Sequence, residues 1–207
     1  MIHVTFVMEQ HLGHRAYYEN LRGFFDAAPE VAATWVPVTY TNSGAVWSKW
    51  PFLPDRLKGA LNGRFQVRNS LRRTSADVLL FNTQVPAAIA GKLVQQKPYL
   101  LSIDITPIQY DRMAAYYGHK PDVDGFFSRY KHKVNVNLLE NAAYLLPWSS
   151  WVRDSLVQDY NIPPERIKVV APGVDLEKWS PRNDFGDGPL KILFVGGDFY
   201  RKGGDVL

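Results

Sequence analysis

Short apolar runs that alternate with amphipathic segments constrain this chain more than any other feature of its sequence. The runs are three to seven residues long, and they lie at 2–8, 34–40, 77–81, 99–103 and 144–146. Between them, apolar residues recur every three or four positions, as they do on one face of a helix. Short apolar strands that alternate with such helices predict an α/β fold, a doubly wound, Rossmann-like parallel sheet covered on both faces.

The helical segments are predicted from their apolar stripes. The first stripe is Tyr17, Leu21, Phe24, Phe25 and Ala28. A second helix is predicted over 54–72, with Leu57, Leu61 and Phe65 as its apolar face, and a short third helix is predicted over 86–94. The next stripe is Phe126, Tyr130, Val134, Leu138 and Ala142. A last helix begins at Ser149 or Ser150 and is followed by a strand over 167–170.

The segment 178–189 divides the chain into two predicted domains. Its sequence, KWSPRNDFGDGP, is polar and is interrupted by proline and glycine, as interdomain linkers are. We therefore expect an N-terminal domain over 1–177 and the start of a second domain over 190–207. Within the second part, 190–195 is predicted to be a strand and 196–204 a glycine-rich loop. We expect the sequence to be truncated, because one strand and one loop cannot cover their own apolar faces.

Composition narrows the chemistry. The chain has 46% hydrophobic and 21% charged residues, as soluble globular proteins do. It has no cysteine, which excludes disulfides, thiolate metal sites and a cysteine nucleophile. The first residues carry no basic leader, and no apolar run approaches the ~18 residues of a membrane-spanning helix. We expect a cytoplasmic protein, with peripheral contact on the inner membrane face left open.

Positive charge is concentrated in one segment. The net charge of the chain is +4, whereas residues 49–73 carry seven cations and one acid, a local net of +6. Arg64, Arg68 and Arg72 lie on one predicted helical face, and aromatic residues at 47, 50 and 52 precede the helix. This pattern predicts an anion-binding or membrane-binding patch, against the alternative of an ordinary solvated helix face. A phosphorylated acceptor and nucleic acid are the other anionic partners, although no nucleic-acid-binding motif is present.

The loop 196–204 has the composition of a phosphate site. Gly196 and Gly197 follow the predicted strand, and Arg201 and Lys202 precede two more glycines. Glycines let backbone N–H groups approach an anion, and the basic pair supplies charge. The spacing matches neither G-x-G-x-x-G nor the Walker motif, and an ordinary strand–helix turn is the alternative.

Several motifs together resemble the family 4 glycosyltransferases. These are Val169-Val170-Ala171-Pro172-Gly173-Val174-Asp175, followed by Trp179, Pro181 and the glycine–arginine–lysine loop, together with the helix start Ser150-Trp151-Val152-Arg153. The resemblance implies two facing Rossmann-like domains and retaining transfer of a hexose from a nucleotide-sugar to a saccharide or lipid-linked acceptor. It further implies that Lys202 contacts the donor diphosphate, that Arg201 adds charge there, and that Gly13 lies near both substrates. No cofactor or metal is implied, and the family's catalytic glutamate pair is expected beyond residue 207. We therefore expect residues 1–207 alone to be inactive.

The loops after the first and fourth strands supply the acceptor-side candidates. Ligands of parallel sheets bind beyond the carboxyl ends of the strands, where His11, His14, Asp104 and Thr106 fall. Three roles are open for the two histidines. They could bind a metal, although no third ligand is evident; they could form hydrogen bonds to the acceptor; or they could only stabilise the loop. Asp104 matches an aspartate of the family, but Ile103 stands where many relatives have histidine. The alternative role of Asp104 is to cap the following turn. The segment 109–124 is predicted to be a mobile acceptor-side loop with His119 exposed.

Two other functional classes stay open. A non-catalytic acceptor-binding or membrane-binding module would use the same N-terminal domain without turnover. A nucleotide-dependent oxidoreductase or epimerase would need G-x-G-x-x-G after the first strand, where this chain has only Gly13.

Overall fold

A computed structural model describes residues 1–11, 13–41, 44, 50, 52–118, 120–121, 124–179, 188–189 and 191–207, and for residue 56 the backbone alone. The described strands form one sheet. They are β1 (Ile2–Glu9), β2 (Val31–Val38), β3 (Val78–Asn82), β4 (Tyr99–Ile103) and β5 (Tyr144–Pro147). Their order is β2-β1-β3-β4-β5, and every neighbouring pair is parallel. The predicted doubly wound parallel sheet is thereby confirmed.

Helices connect the strands. They are α1 (His14–Phe25), α2 (Asp55–Leu71), α3 (Gln84–Ala90), α4 (Pro107–Arg112), α5 (Ala114–Tyr117), α6 (Phe126–Asn141) and α7 (Ser150–Gln158). Short 3-10 turns lie at Gly91–Gln96, Pro164–Arg166 and Gly204–Val206. The hydroxyl of Ser149 accepts from the backbone N–H of Val152 and caps α7, as one of the two predicted alternatives requires.

The sheet has apolar residues on both faces. Side chains alternate along a strand, so Phe6 and Met8 of β1 lie on one face and Val7 lies on the other. The larger cluster packs the second face against α2, α3, α6 and α7. On the first face, Tyr17, Tyr18, Leu21 and Phe25 of α1 cover Phe6, Met8 and Leu80. Phe24, predicted to belong to this stripe, is exposed instead.

The predicted apolar face of α2 is wrong. Leu57 and Phe65 are 47% and 40% exposed, whereas Val67 and Leu71 are buried in the core. The helix turns by about 100° per residue, which places Gly63, Val67 and Leu71 in one stripe and centres Leu57, Leu61 and Phe65 about 120° away from it. The packed stripe begins with a glycine because the ring of Tyr40 lies directly over Gly63.

Two other predicted segments differ from the structure. Phe126 and Tyr130 of α6 are exposed, and the helix packs through Val134, Leu138 and Leu139 nearer its C-terminus. The predicted loop over 109–124 is largely helical, because α4 and α5 occupy 107–117. α4 begins with a capping box at Thr106 and a proline in its first turn, which favour a helix there. His119 lies outside the described residues.

Two predicted strands do not form. Ile167 makes an isolated bridge with Leu145, and Lys168 and Val170 donate to carbonyl groups of β5, but no strand extends over 167–170. Residues 191–195 are not assigned to a strand, and no described segment pairs with them. A strand is defined by its ladder, so an apolar run without a neighbouring strand does not become one. Most of the predicted linker lies outside the described residues, and the domain boundaries stay predictions.

No helix in the described ranges combines the length and apolar character needed to cross a membrane.

The contact between α2 and Tyr40 gives a stability test. A methyl group at Gly63 would overlap the Tyr40 ring and lie 3.2 Å from Cδ1 of Ile89, so Gly63→Ala should lower the free energy of unfolding by about 1–3 kcal/mol. Gly59→Ala, one turn earlier, is the matched control, because its methyl group would lie 3.8 Å from the nearest atom, the carbonyl oxygen of Tyr40. That variant should gain about 0.5–1 kcal/mol from helix propensity. Urea unfolding of both variants measures the two changes, and equal effects would contradict the assigned packing.

Candidate functional site

The strand order creates a crevice between β1 and β3. β1 pairs with β2 on one side and with β3 on the other, so the connection after β1 leads to one side of the sheet and the later connections lead to the opposite side. In open α/β sheets, ligands bind at this switch point, outside the carboxyl ends of the strands. Here β1 ends at Glu9, β3 ends at Asn82, and α1 begins at His14. A ligand site is therefore expected at the residues that follow these two strands.

His14 is the centre of a polar cluster at this crevice. Its Nδ1 lies 3.3 Å from Nδ2 of Asn82, at the end of β3. Its Nε2 lies 3.6 Å from Oδ2 of Asp104, directly after β4. The side chains of His14 and Asp104 are 16% and 32% exposed, so a ligand can reach both. Three loops that are far apart in sequence thus meet at one imidazole.

The two ring nitrogens of His14 face different groups. Nδ1 lies within hydrogen-bonding distance of the Asn82 amide, and which of the two atoms donates depends on the tautomer of the ring. Nε2 faces the carboxylate of Asp104. Both ring nitrogens are engaged by protein groups, which holds the imidazole in one orientation. Asp104 retains oxygen lone pairs for a ligand hydroxyl.

An aromatic wall supports this histidine. The rings of His14 and Trp148 are 5.5 Å apart, and those of Tyr17 and Trp148 are 4.7 Å apart. Nε1 of Trp148 donates to Oγ of Ser102 at 2.8 Å, and Ser102 donates to the Tyr17 hydroxyl at 3.2 Å. Burial raises the pKa of Tyr17, and the bond from Ser102 offsets part of that rise. The chain of bonds ties α1 to β4 and β5 beside the crevice.

Buried acceptor atoms line the other side of the cluster. Oγ1 of Thr83 donates to Oε2 of Glu9 at 2.9 Å. The side-chain oxygens Oδ1 of Asn82 and Oε1 of Gln84 are buried and have no hydrogen-bond partner among the described residues. Burial raises the pKa of the Tyr40 phenol strongly, and the carboxylate of Glu9 adds to the effect, so this hydroxyl stays protonated. These two oxygens belong to the interior of the fold and not to its accessible surface.

Thr106 has a structural role. It is completely buried, its hydroxyl accepts from the backbone N–H of Gln109, and it caps α4. Its Oγ1 lies 2.8 Å from Oγ of Ser155 on α7. Ser155 donates to Asp159 at 2.7 Å, and the Thr106 hydroxyl also lies 3.3 Å from the acceptor Oε1 of Gln109. Hydrogen bonds from Arg112 first, and then from Ser155, hold the pKa of Asp159 below its usual value. The predicted acceptor-side candidate thus lies within the α4–α7 contact.

The other candidates of the first loop stay near the surface. His11 is exposed, and its carbonyl oxygen accepts from the backbone N–H of His14 at 3.2 Å. Gly13 is the N-cap residue of α1, and a Cβ there would have no atom within 4 Å. In the part of the chain that the structure describes, no group of three histidine, aspartate or glutamate side chains could hold a metal ion.

The predicted phosphate loop folds on itself. The backbone N–H of Arg201 donates to Asp198 at 3.1 Å, and its Nε donates to the same carboxylate at 3.2 Å. The guanidinium also lies 4.9 Å from the ring centre of Tyr117 on α5, which links the loop to the first part of the chain. A Cβ at Gly196 would clash with the side chain of Lys202, whereas Gly197 faces open space. Lys202 thus lies beside Gly196, Arg201 is held by Asp198, and both Gly196 and Gly197 are exposed.

Sequence reasoning missed Asn82, Ser102 and Trp148. Each is a polar or amphipathic residue at or near the carboxyl end of a buried apolar strand. This position is a usable signal, because such residues in a parallel sheet face the ligand edge. The pairing of Asn82 with His14 needs the strand order, which periodicity does not give.

Comparisons with known proteins show the family and the fold of the chain. The family model described as Glycosyltransferase Family 4 matches residues 21–178. Among solved structures, the chain is similar to the crystal structure of CalG4, the calicheamicin glycosyltransferase, with 14% identity and a TM-score of 0.52 over 89% of this chain and 56% of that chain. It is also similar to the glycotransferase of kitacinnamycin, with 18% identity and a TM-score of 0.42 over 91% of this chain and 55% of that one. The chain thus spans little more than half the length of these two structures, and the first of them shows the shared fold. Comparison with curated proteins found no match.

The buried hydroxyl of Thr106 gives a second test. Thr106→Val removes the cap of α4 and the bond to Ser155, so we expect the free energy of unfolding to fall by about 1–3 kcal/mol. Thr106→Ser keeps both interactions and should lie within about 1 kcal/mol of the wild type. Chemical denaturation of both variants measures the difference. If the valine variant were as stable as the serine variant, the assigned structural role would be wrong.

Proposed function

We infer the function of this chain from its family, because it belongs to glycosyltransferase family 4. It is the acceptor-side part of an enzyme that transfers a hexose from a nucleotide-sugar donor to a hydroxyl group, with retention of configuration at the anomeric carbon. The activity concerns the whole enzyme, of which this chain supplies one wall of the cleft.

The cluster of His14, Asn82 and Asp104 carries this proposal. It lies at the switch point of the sheet, where a ligand is expected. The partly exposed Asp104 carboxylate accepts a hydrogen bond from the hydroxyl group of the acceptor substrate. Asn82 is fully buried and holds His14 beside this carboxylate. A saccharide, or the sugar end of a lipid-linked acceptor, matches these polar groups better than an apolar compound does.

The donor diphosphate is assigned to the C-terminal loop. Lys202 and Arg201 supply positive charge there, and Gly197 and Gly13 leave open space for the close approach of phosphate oxygens. In the structure, Arg201 is engaged by Asp198 and by the ring of Tyr117. A bound diphosphate competes with Asp198 for the guanidinium. Lys202 is exposed, and it is the residue to which we assign the direct contact.

The proposed reaction balances without a protein-derived base. The bond between the anomeric carbon and the donor phosphate oxygen breaks, and the nucleoside diphosphate leaves with the electron pair. The acceptor oxygen then bonds to the anomeric carbon on the same face, and its proton passes to the leaving phosphate oxygen. Lys202 and Arg201 stabilise the negative charge that develops on the diphosphate. A histidine whose two nitrogens are already engaged fits the role of a positioning residue in this scheme.

The catalytic glutamate pair expected for this family is assigned to the part of the enzyme outside residues 1–207. Residues 1–207 alone should therefore bind substrate without turnover. The alternative of a non-catalytic acceptor-binding module shares this property, and the full-length gene product distinguishes the two. The oxidoreductase alternative has no support from the family match.

Donor binding tests the assignment of Lys202. In the full-length gene product, Lys202→Ala removes one charge-assisted contact, so the dissociation constant of the donor nucleoside diphosphate should rise about 10- to 100-fold. Calorimetric titration with UDP and GDP measures it. Lys191→Ala makes the same change of charge at an exposed lysine outside the loop and should leave binding unchanged. Equal affinities for the two variants would contradict a phosphate contact at Lys202.

Asp104 and the stereochemistry of the product test the acceptor side. If Asp104 positions the acceptor, Asp104→Asn in the full-length enzyme should lower kcat/KM about tenfold, because one hydrogen bond to a neutral hydroxyl is weakened. NMR of the product should show the anomeric configuration of the donor. Asp26→Asn, at the far end of α1 from the site, is the matched control and should behave as the wild type.

A different outcome would identify a different mechanism. An inverted product, together with a loss of 100-fold or more in Asp104→Asn, would make Asp104 a general base and overturn the retaining proposal. Acceptor binding without turnover in the full-length product would favour the binding module.

A further inference from the structure

The outward side of α2 combines apolar and basic residues in one stripe. Residues on a helix are turned by about 100° from one to the next, so the residues of the predicted apolar face and those of the predicted basic face fall within a single arc of about 100°. We call this set the outward stripe; it contains Leu57, Leu61, Arg64, Phe65, Arg68 and Arg72. The predicted separation into two faces is wrong, and Leu57 and Phe65 are exposed whereas Leu61 is half-buried.

The apolar part of this surface is accessible. Leu57 and Phe65 are substantially exposed, although neither is on the face of α2 that packs against the sheet. Phe52, just before the helix, is 97% exposed, and Trp50 is also exposed. Three of these four residues are aromatic, of the type that lies in the headgroup region of a bilayer. The stripe and the two exposed aromatic residues just before the helix therefore present apolar side chains close in sequence to its cations.

The charge of this surface has one sign. Arg64 and Arg72 are exposed, and Arg73 follows directly. Arg68 is partly engaged, because its Nη1 donates to the carbonyl oxygen of Ala90 at 3.3 Å. Asp55 is the only acidic residue between 50 and 73, and it lies 3.5 Å from Nζ of Lys58. No acidic residue belongs to the outward stripe, so the charge attracts an anionic partner.

The combination of apolar side chains and arginines on this surface fits one kind of anionic partner better than another. Nucleic acid would use the arginines for its phosphates but would leave Leu57, Phe52 and Phe65 without a matching surface. An anionic bilayer takes the arginines at its phosphate groups and the apolar side chains just beneath them. Because α2 is docked on the domain through Val67 and Leu71, it can lie along a membrane without leaving the fold. We propose that the outward stripe of α2, together with Phe52, binds the surface of an anionic lipid bilayer. The proposal stands independently of glycosyl transfer.

Vesicle sedimentation tests this surface. The 207-residue chain should co-sediment with vesicles of phosphatidylglycerol and phosphatidylcholine, and binding should weaken as salt is raised. The double variant Arg64→Gln with Arg72→Gln removes two cations. Each cation contributes about fivefold to the partition coefficient, so the coefficient should fall about 25-fold. Arg68 is left intact because its contact with Ala90 belongs to the fold.

A matched control separates location from net charge. Arg15→Gln with Arg22→Gln makes the same change of charge on α1, across the sheet, where both side chains are exposed and form surface ion pairs. This double variant should bind vesicles within about twofold of the wild type. Phe52→Ser tests insertion separately, because a side chain that is almost fully exposed adds nothing to stability. It should weaken vesicle binding while circular dichroism and thermal unfolding stay unchanged.

The outcomes decide the proposal. Loss of binding in the α2 double variant, with binding retained in the α1 double variant, supports it. Equal losses in the two double variants would show that binding depends on net charge and not on the α2 surface, and would overturn the proposal. Equal binding to vesicles of phosphatidylcholine alone, or binding to duplex DNA but not to anionic vesicles, would also overturn it.

Discussion

The parallel pairing of β1 with both β2 and β3 is the constraint on which the rest of this structure depends. It places the connection after β1 and the later connections on opposite sides of the sheet, and it opens a crevice at their common edge. The same pairing requires both faces of the sheet to be covered. That requirement accounts for the aromatic packing of α1 on one face and for the layer of α2, α3 and α6 on the other.

Packing and polar chemistry meet at this edge. His14 belongs to α1, which is held by aromatic contacts and by the bonds that join Trp148, Ser102 and Tyr17. The imidazole is therefore fixed before any ligand arrives, and Asn82 and Asp104 reach it from two other strands. Preorganisation of this kind lowers the cost of orienting a ligand at the crevice. Thr106 and Asp159 contribute indirectly, by fixing α4 and α7 behind the loop that carries Asp104.

Much of the fold could be predicted from the sequence, because short apolar runs in regular alternation with helical stripes have few solutions. The predicted apolar faces of α2 and α6 differ from the faces that pack. Leu57 and Phe65 have helical spacing, yet they face outward because a glycine, a valine and a leucine on the other side of α2 fit beneath Tyr40 and against the sheet. Phe126 and Tyr130 also match the period without being covered. Periodicity identifies a helix, but shape complementarity determines which side of that helix is packed.

The sequence by itself determined the class of fold, the residues that follow the strands, and the concentration of positive charge before and along α2. Those properties are local, since they depend on neighbours a few positions apart in the chain. Only the tertiary structure decided that His14 meets Asn82 and Asp104, that Thr106 is buried, and that α2 packs through Val67 and Leu71 while Leu57 and Phe65 are exposed. These are contacts between segments tens of residues apart, and their geometry follows from strand order and side-chain packing rather than from local pattern.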